Sequence, residues 1–157
     1  MWGEAQQKAL DEIKQYLTSP PVLVPPQKHK PFKLYFSADE RAIGSALIQK
    51  FEGKERVIYF ISRRLLDAET RYSPVERLCL CLYFSCTELR HYLLSAECVV
   101  VSKDDVIKYM LSLPILSGRI GKWILALSEF DLRYESAKAV KGQVMADFVV
   151  QHYGPEL

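Results

Sequence analysis

Cysteine, histidine, acid and arginine are the residues of this chain that could do chemistry, and their spacing limits what that chemistry is. Cys79, Cys81, Cys86 and Cys98 contain no C-x-x-C pair, and three of them lie in a strongly apolar stretch that reads as helix. Buried free thiols fit that pattern better than zinc ligands or disulfides. His29, His91 and His152 fall on three separate segments and read as surface or internally satisfied side chains, not ligands. Glu76 follows Ser73 by three residues with Pro74 between them, a helix-start pattern in which the carboxylate serves the backbone. Asp147 falls near the start of the last helical stretch, where a negative charge suits the helix dipole. Arg63-Arg64, with Lys54, Arg56 and Arg71, could form a basic rim for phosphates, against the plainer reading of a solvated face.

The elements that must position these residues belong to one domain of ordinary composition. The chain has 157 residues, 49% hydrophobic and 25% charged. Lys plus Arg number 21 and Asp plus Glu 19, so the net charge of +2 does not suggest a histone-like or tail-driven nucleic-acid binder, while leaving room for a local basic face. The apolar runs, Leu78–Phe84 the longest and Cys98–Val101 among the shorter ones, fall far short of the ~18 residues of a membrane span. The start, Met1-Trp2-Gly3-Glu4, lacks a basic-then-apolar leader pattern, and an intracellular protein, cytoplasmic or nuclear, is expected. The two ends read as the edges of a domain cut from a longer chain.

Residues 1–31 read as an arm: a helix carrying Ala9, Leu10, Ile13 and Leu17, then a stiff connector holding Pro20, Pro21, Pro25, Pro26 and Pro31. The main domain is expected over 32–153, with 154–157 a tail. Three strands come first, Phe32–Ser37, Ile43–Gln49 and Val57–Ile61, the last two joined by a turn at Glu52-Gly53-Lys54. A long helix follows over Pro74–Leu94, apolar almost all round at Leu78–Phe84 and so expected between layers. Then come a strand Cys98–Ser102, a helix near Asp105–Leu111, a helix Ser117–Ser128 with Trp123 on its core face, a strand Leu132–Ser136 and a helix Gln143–His152. The order βββ-α-β-α-α-β-α implies an α/β fold with a mixed five-stranded sheet and helices on its faces.

The run Lys33-Leu34-Tyr35-Phe36-Ser37-Ala38-Asp39-Glu40-Arg41-Ala42-Ile43-Gly44-Ser45-Ala46-Leu47 resembles the first hairpin of the ribonuclease H domain of gypsy-type long-terminal-repeat retrotransposon polyproteins. Further similar motifs follow in the same order: Arg56, Ile58, Ser62-Arg63 and Leu65; Ala68-Glu69, Tyr72 and Glu76; Leu116-Ser117-Gly118-Arg119; Lys122-Trp123; Leu127-Ser128-Glu129-Phe130-Asp131; and Ala146-Asp147. The arm resembles the segment that joins reverse transcriptase to that domain. The resemblance spans nearly the whole chain and implies a ribonuclease H-like fold.

The active form of that family cuts RNA in RNA/DNA hybrids, and the resemblance implies two magnesium ions held by four acids. Two acids are retained by this correspondence, Glu76 and Asp147. The first-strand acid falls on Ser37, which has no histidine near it, and the fourth-strand acid falls on Lys103. An ammonium opposes a dication, so no resident metal is expected, and Lys103 is expected to pair with Glu76 and Asp147. Asp39 and Asp105 could substitute only through a strand slip or bulge, because each lies two residues on, a shift of ~6.6–6.8 Å. The resemblance thus points to a degenerate copy of the domain, acting as a structural connection or a nucleic-acid-contacting module. It would touch RNA/DNA hybrid or duplex weakly through Arg56, Arg63, Arg64 and Arg71, beside a flanking polymerase. The alternatives are a working, magnesium-dependent ribonuclease H with a rearranged site, and a host-adopted protein-interaction domain.

Overall fold

The computed structural model describes residues 24–113 and 118–136. The expected N-terminal helix, the last helix with Asp147 and the tail lie outside the described residues. Among those described, no helix is long and apolar enough to cross a membrane.

Hydrophobic patterning explains the sheet. β1 (Phe32–Ala38) and β2 (Ala42–Phe51) bury both faces over most of their length, as central strands do. Their hairpin is closed by Asp39, whose Oδ1 accepts from the N–H groups of Arg41 and Ala42 at 2.8 and 2.9 Å. β3 (Lys54–Arg64) returns through a two-residue turn at Glu52 and Gly53, with φ of 51° and 82°. Two successive positive φ angles match the twist a tight hairpin needs, and Gly53 adopts its angle without a Cβ penalty. β3 is longer than the expected Val57–Ile61. It is an edge strand, so Lys54, Arg56 and Arg64 stay in the ladder while facing water. A bulge sets Leu47 against Tyr59 but Ile48 against Val57, leaving Ile58 as the inserted residue.

β4 (Cys98–Ser102) pairs parallel with β1, and β5 (Leu132–Ser136) pairs parallel with β4. The sheet order is β3-β2-β1-β4-β5, the expected mixed five-stranded sheet.

The helices cover the face that carries Leu34, Phe36, Leu47 and Ile61. α1 (Pro74–Glu88) starts as its residues dictate: the Ser73 hydroxyl accepts from the Glu76 N–H, and Glu76 Oε1 accepts from the Ser73 N–H at 2.9 Å. It lies between β1 and β2 on one side and two helices on the other, α3 (Val106–Ser112) and α4 (Gly118–Leu127). That double contact explains its buried run Leu78–Leu82. The expected single helix to Leu94 divides at Leu89, with φ −101° and ψ 17°, and continues as the short α2 (Arg90–Leu93). No glycine or proline marks that break. A 3₁₀ turn (Asp67–Arg71), unforeseen from the sequence, links β3 to α1. Trp123 is buried in the core, as expected.

The described end of the connector, residues 24–31, is anchored to the sheet. The Val24 N–H bonds the Val57 carbonyl at 3.4 Å. The buried Gln49 side chain accepts from the Gln27 N–H and donates to the carbonyls of Gln27 and Lys30.

Candidate functional site

Ser37 lies near the carboxyl end of β1, Lys103 just past β4 and Glu76 in the first turn of α1, while the fourth position, Asp147, lies outside the described residues. The register of β1 on β4 runs from Phe32 opposite Cys98 to Tyr35 opposite Val101. Continued by two residues, it sets Ser37 beside Lys103. The two positions that lack acids are therefore neighbours on adjacent strands, which is the placement a shared site would require.

The expected ion pair between Glu76 and Lys103 is not formed among the described residues. The counter-charge of Glu76 comes from α4: Arg119 Nη2 donates to Glu76 Oε2 at 2.7 Å. Oε1 is held by the Ser73 N–H, so both carboxylate oxygens are engaged. The Ser73 backbone bond, then the Ser73 hydroxyl and the Arg119 charge, outweigh partial burial and hold the Glu76 carboxyl below its ordinary value of 4.5. Arg119 is itself braced. Its guanidinium lies 4.2 Å from the Tyr72 ring centroid, and Tyr72 meets Trp123 edge-on at 6.1 Å. Trp123 stacks on Tyr83 at 5.8 Å. Arg119 stands in a motif noted from the sequence, but its partner is 43 residues away, and only Glu76's unmet need for a counter-charge hinted at the pair.

The two substitute acids are occupied locally. Asp39 closes the β1–β2 hairpin. Asp105 caps α3, its Oδ1 accepting from the Lys108 N–H at 3.0 Å. Ser102 Oγ donates to the Asp104 carbonyl at 2.7 Å, fixing the turn that carries Lys103.

Among the described residues, this set does not fit a pair of magnesium ions. Hard cations need several free carboxylate oxygens on one frame. Here Glu76 is spoken for on both oxygens, a guanidinium lies against it, and Ser37 and Lys103 hold the strand ends. Among the described residues no three His, Cys, Asp or Glu side chains form a group that could hold a metal ion; Asp147 lies outside them.

The four arginines do not make one rim. Arg63 is only half-exposed and gives both terminal nitrogens to Glu69, at 2.9 and 3.0 Å, while its guanidinium lies 4.7 Å from the Phe84 ring centroid. It braces the 3₁₀ turn and is withdrawn from any phosphate rim. Burial pushes the Glu69 carboxyl up, but the Arg63 bonds, the Leu66 N–H and the Arg63 charge overcome that and hold it below 4.5. Arg56 and Arg64 are exposed at opposite ends of β3, eight residues or about 26 Å apart. Arg71 is exposed, with a loose contact to Asp67 at 3.8 Å. The four cysteines are buried, as their spacing suggested.

Comparison with known proteins identifies the family. Residues 2–100 match the family described as the RNase H-like domain found in reverse transcriptase, and the chain belongs to that family. It is 28% identical over 137 residues to the retrovirus-related Pol polyprotein from transposon 297 of Drosophila melanogaster, covering 87% of this chain and 13% of that polyprotein. It is 30% identical over 147 residues to the Pol polyprotein from transposon opus of the same fly, covering 92% and 14%. The chain therefore spans a small part of the curated relatives it matches, and it is an RNase H-like domain of the kind carried in retrotransposon Pol polyproteins. Solved structures share its fold. Foamy viral protease-reverse transcriptase in complex with RNA/DNA hybrid gives a TM-score of 0.62 at 17% identity, over 88% of this chain and 19% of that one. LC11-RNase H1, isolated from compost, gives 0.58 at 12% identity, over 83% and 98%.

Proposed function

We propose that this domain is a catalytically lapsed ribonuclease H-like module of a retrotransposon polyprotein, working without a resident metal as a structural connection beside the polymerase. The observation that carries this reading is the engagement of Glu76 by Arg119 and Ser73, together with Ser37 and Lys103 at the positions where the family has acids. A carboxylate paired with a guanidinium gives up that pairing only at an electrostatic cost.

Contact with nucleic acid is part of the proposal, of a sequence-independent kind. A relative in fold, foamy viral protease-reverse transcriptase, was solved both on RNA/DNA hybrid and on double-stranded DNA. In this chain Arg56, Arg64 and Arg71 are the exposed cations of the expected set, and separated single charges favour weak, salt-sensitive binding.

Magnesium calorimetry with a hybrid-cleavage assay tests the reading. The wild-type protein is expected to bind no magnesium at millimolar concentration and to leave the hybrid intact. The variant S37D/K103D is expected to gain magnesium affinity, and adding R119A to gain more. Cleavage by the wild type that is lost in E76Q overturns the proposal.

A further inference from the structure

Among the described residues β5 is the last strand of the sheet, and its ladder to β4 determines which of its backbone groups point outward. The Cys98 N–H donates to the Asp131 carbonyl at 2.9 Å, and Cys98 lies opposite Leu132. In a parallel ladder that bond turns the backbone groups of Arg133 and Glu135 toward β4, and those of Leu132, Tyr134 and Ser136 away from it. Among the described residues none hydrogen-bonds those outward groups. An unpaired edge of this kind is a template for another strand.

The side chains sort themselves by face. Leu132 and Tyr134 turn to the helix side, where they line a groove of about 620 Å³ with Ile107 and Leu111 of α3. Leu111 is 61% exposed there. Arg133 and Glu135 lie on the opposite face, on either side of Tyr134 along the strand. Arg133 is 70% exposed and meets Glu97 at 3.5 Å; Glu135 is exposed.

We propose that β5 is a homodimerisation edge: a second copy of this chain pairs its own β5 antiparallel to it, about a two-fold axis at Tyr134. In that register the run Leu132-Arg133-Tyr134-Glu135-Ser136 complements itself. Tyr134 meets Tyr134 of the copy as a hydrogen-bonded pair. Arg133 then faces Glu135 of the copy twice, at the closer, non-hydrogen-bonded positions where opposite charges attract best. A slip of two residues in either direction sets Arg133 against Arg133 or Glu135 against Glu135, so charge selects one register. On the helix side the two apolar grooves become continuous across the axis.

Sedimentation equilibrium of the full chain tests this. The wild type is expected to dimerise reversibly. R133E sets Glu against Glu at both positions, and E135R sets Arg against Arg. Each is expected to raise the dimer dissociation constant about tenfold or more. The swap R133E/E135R restores opposite charges and is expected to recover dimerisation, and an equimolar mixture of the two single variants is expected to form a heterodimer. Circular dichroism of each variant confirms that it is folded. A wild type that stays monomeric up to about 1 mM overturns the proposal. So does a dimer that the single reversals leave intact, or one that the swap fails to restore. None of these outcomes touches the metal-binding test, so the two proposals fail separately.

Discussion

Arg119 reaches from α4 to place a guanidinium nitrogen 2.7 Å from the Glu76 carboxylate at the start of α1. The side chains are 47% and 22% exposed, so solvent screens the charge attraction. The stacking of Arg119 on Tyr72 adds a contact that a lysine would not reproduce. R119A is therefore expected to cost about 1 kcal/mol, and R119K most of that amount. Urea denaturation at constant slope checks both. Neither single variant is expected to cleave hybrid, because Ser37 and Lys103 remain.

Acid should loosen the fold through two identified carboxyls. Glu69 and Glu76 both titrate below 4.5 in the folded chain, Glu69 because Arg63 and the Leu66 N–H outweigh its burial, Glu76 through Ser73 first and Arg119 next. A carboxyl whose folded value is depressed adds stability above its unfolded value, and that stability is lost as pH falls through the folded one. Stability should thus decline from about pH 4.5 downward. E69Q and E76Q should each lower stability at neutral pH and reduce the further loss on acidification. Urea midpoints measured from neutral pH to about pH 3 check this, and parallel curves for wild type and variants would contradict it.

How far the residues alone reveal this molecule depends on the range of each interaction. β1 and β2 are legible because both of their faces are buried, giving near-continuous apolar runs from Phe32 to Phe36 and from Ala42 to Ile48. The start of α1 is legible because Ser73, Pro74 and Glu76 act within one turn. The break at Leu89 carries no proline or glycine and is set by packing. The Arg63–Glu69 pair runs from the end of β3 into the 3₁₀ turn six residues on, a path to which no spacing rule applies. The Arg119–Glu76 pair joins two helices, and a sequence reading that sought a cation for Glu76 on the neighbouring strand chose Lys103 instead.

The thiols should be silent in the folded protein. Burial pushes Cys79, Cys81 and Cys98 up to about 12, Cys79 with the Glu76 charge adding to it, and it raises Cys86 as well. The thiolate is the reactive form, and at mildly alkaline pH almost none is present. An aromatic disulfide reagent should therefore label none of them in the native protein and all four once it is denatured. Rapid labelling of the native chain would mean that α1 opens away from the sheet.

Inside the core, Ser45 of β2 and Ser85 of α1 share a hydrogen bond at 2.7 Å, and both residues are fully buried. Cys81 lies against the same spot, its Sγ 3.4 Å from the Gly44 carbonyl and 4.0 Å from the Ser85 hydroxyl. Removing one hydroxyl leaves the other in an apolar layer without its main partner, which costs about 1–3 kcal/mol. Removing both leaves no orphan and only a small void, so S45A/S85A should be less destabilising than the sum of S45A and S85A. The coupling should be at least ~0.5 kcal/mol, the lower end for contacting buried groups. A double-mutant cycle in urea measures it. Strict additivity would show that each hydroxyl finds another acceptor when its partner is gone, and that this pair does not help set α1 in register on the sheet.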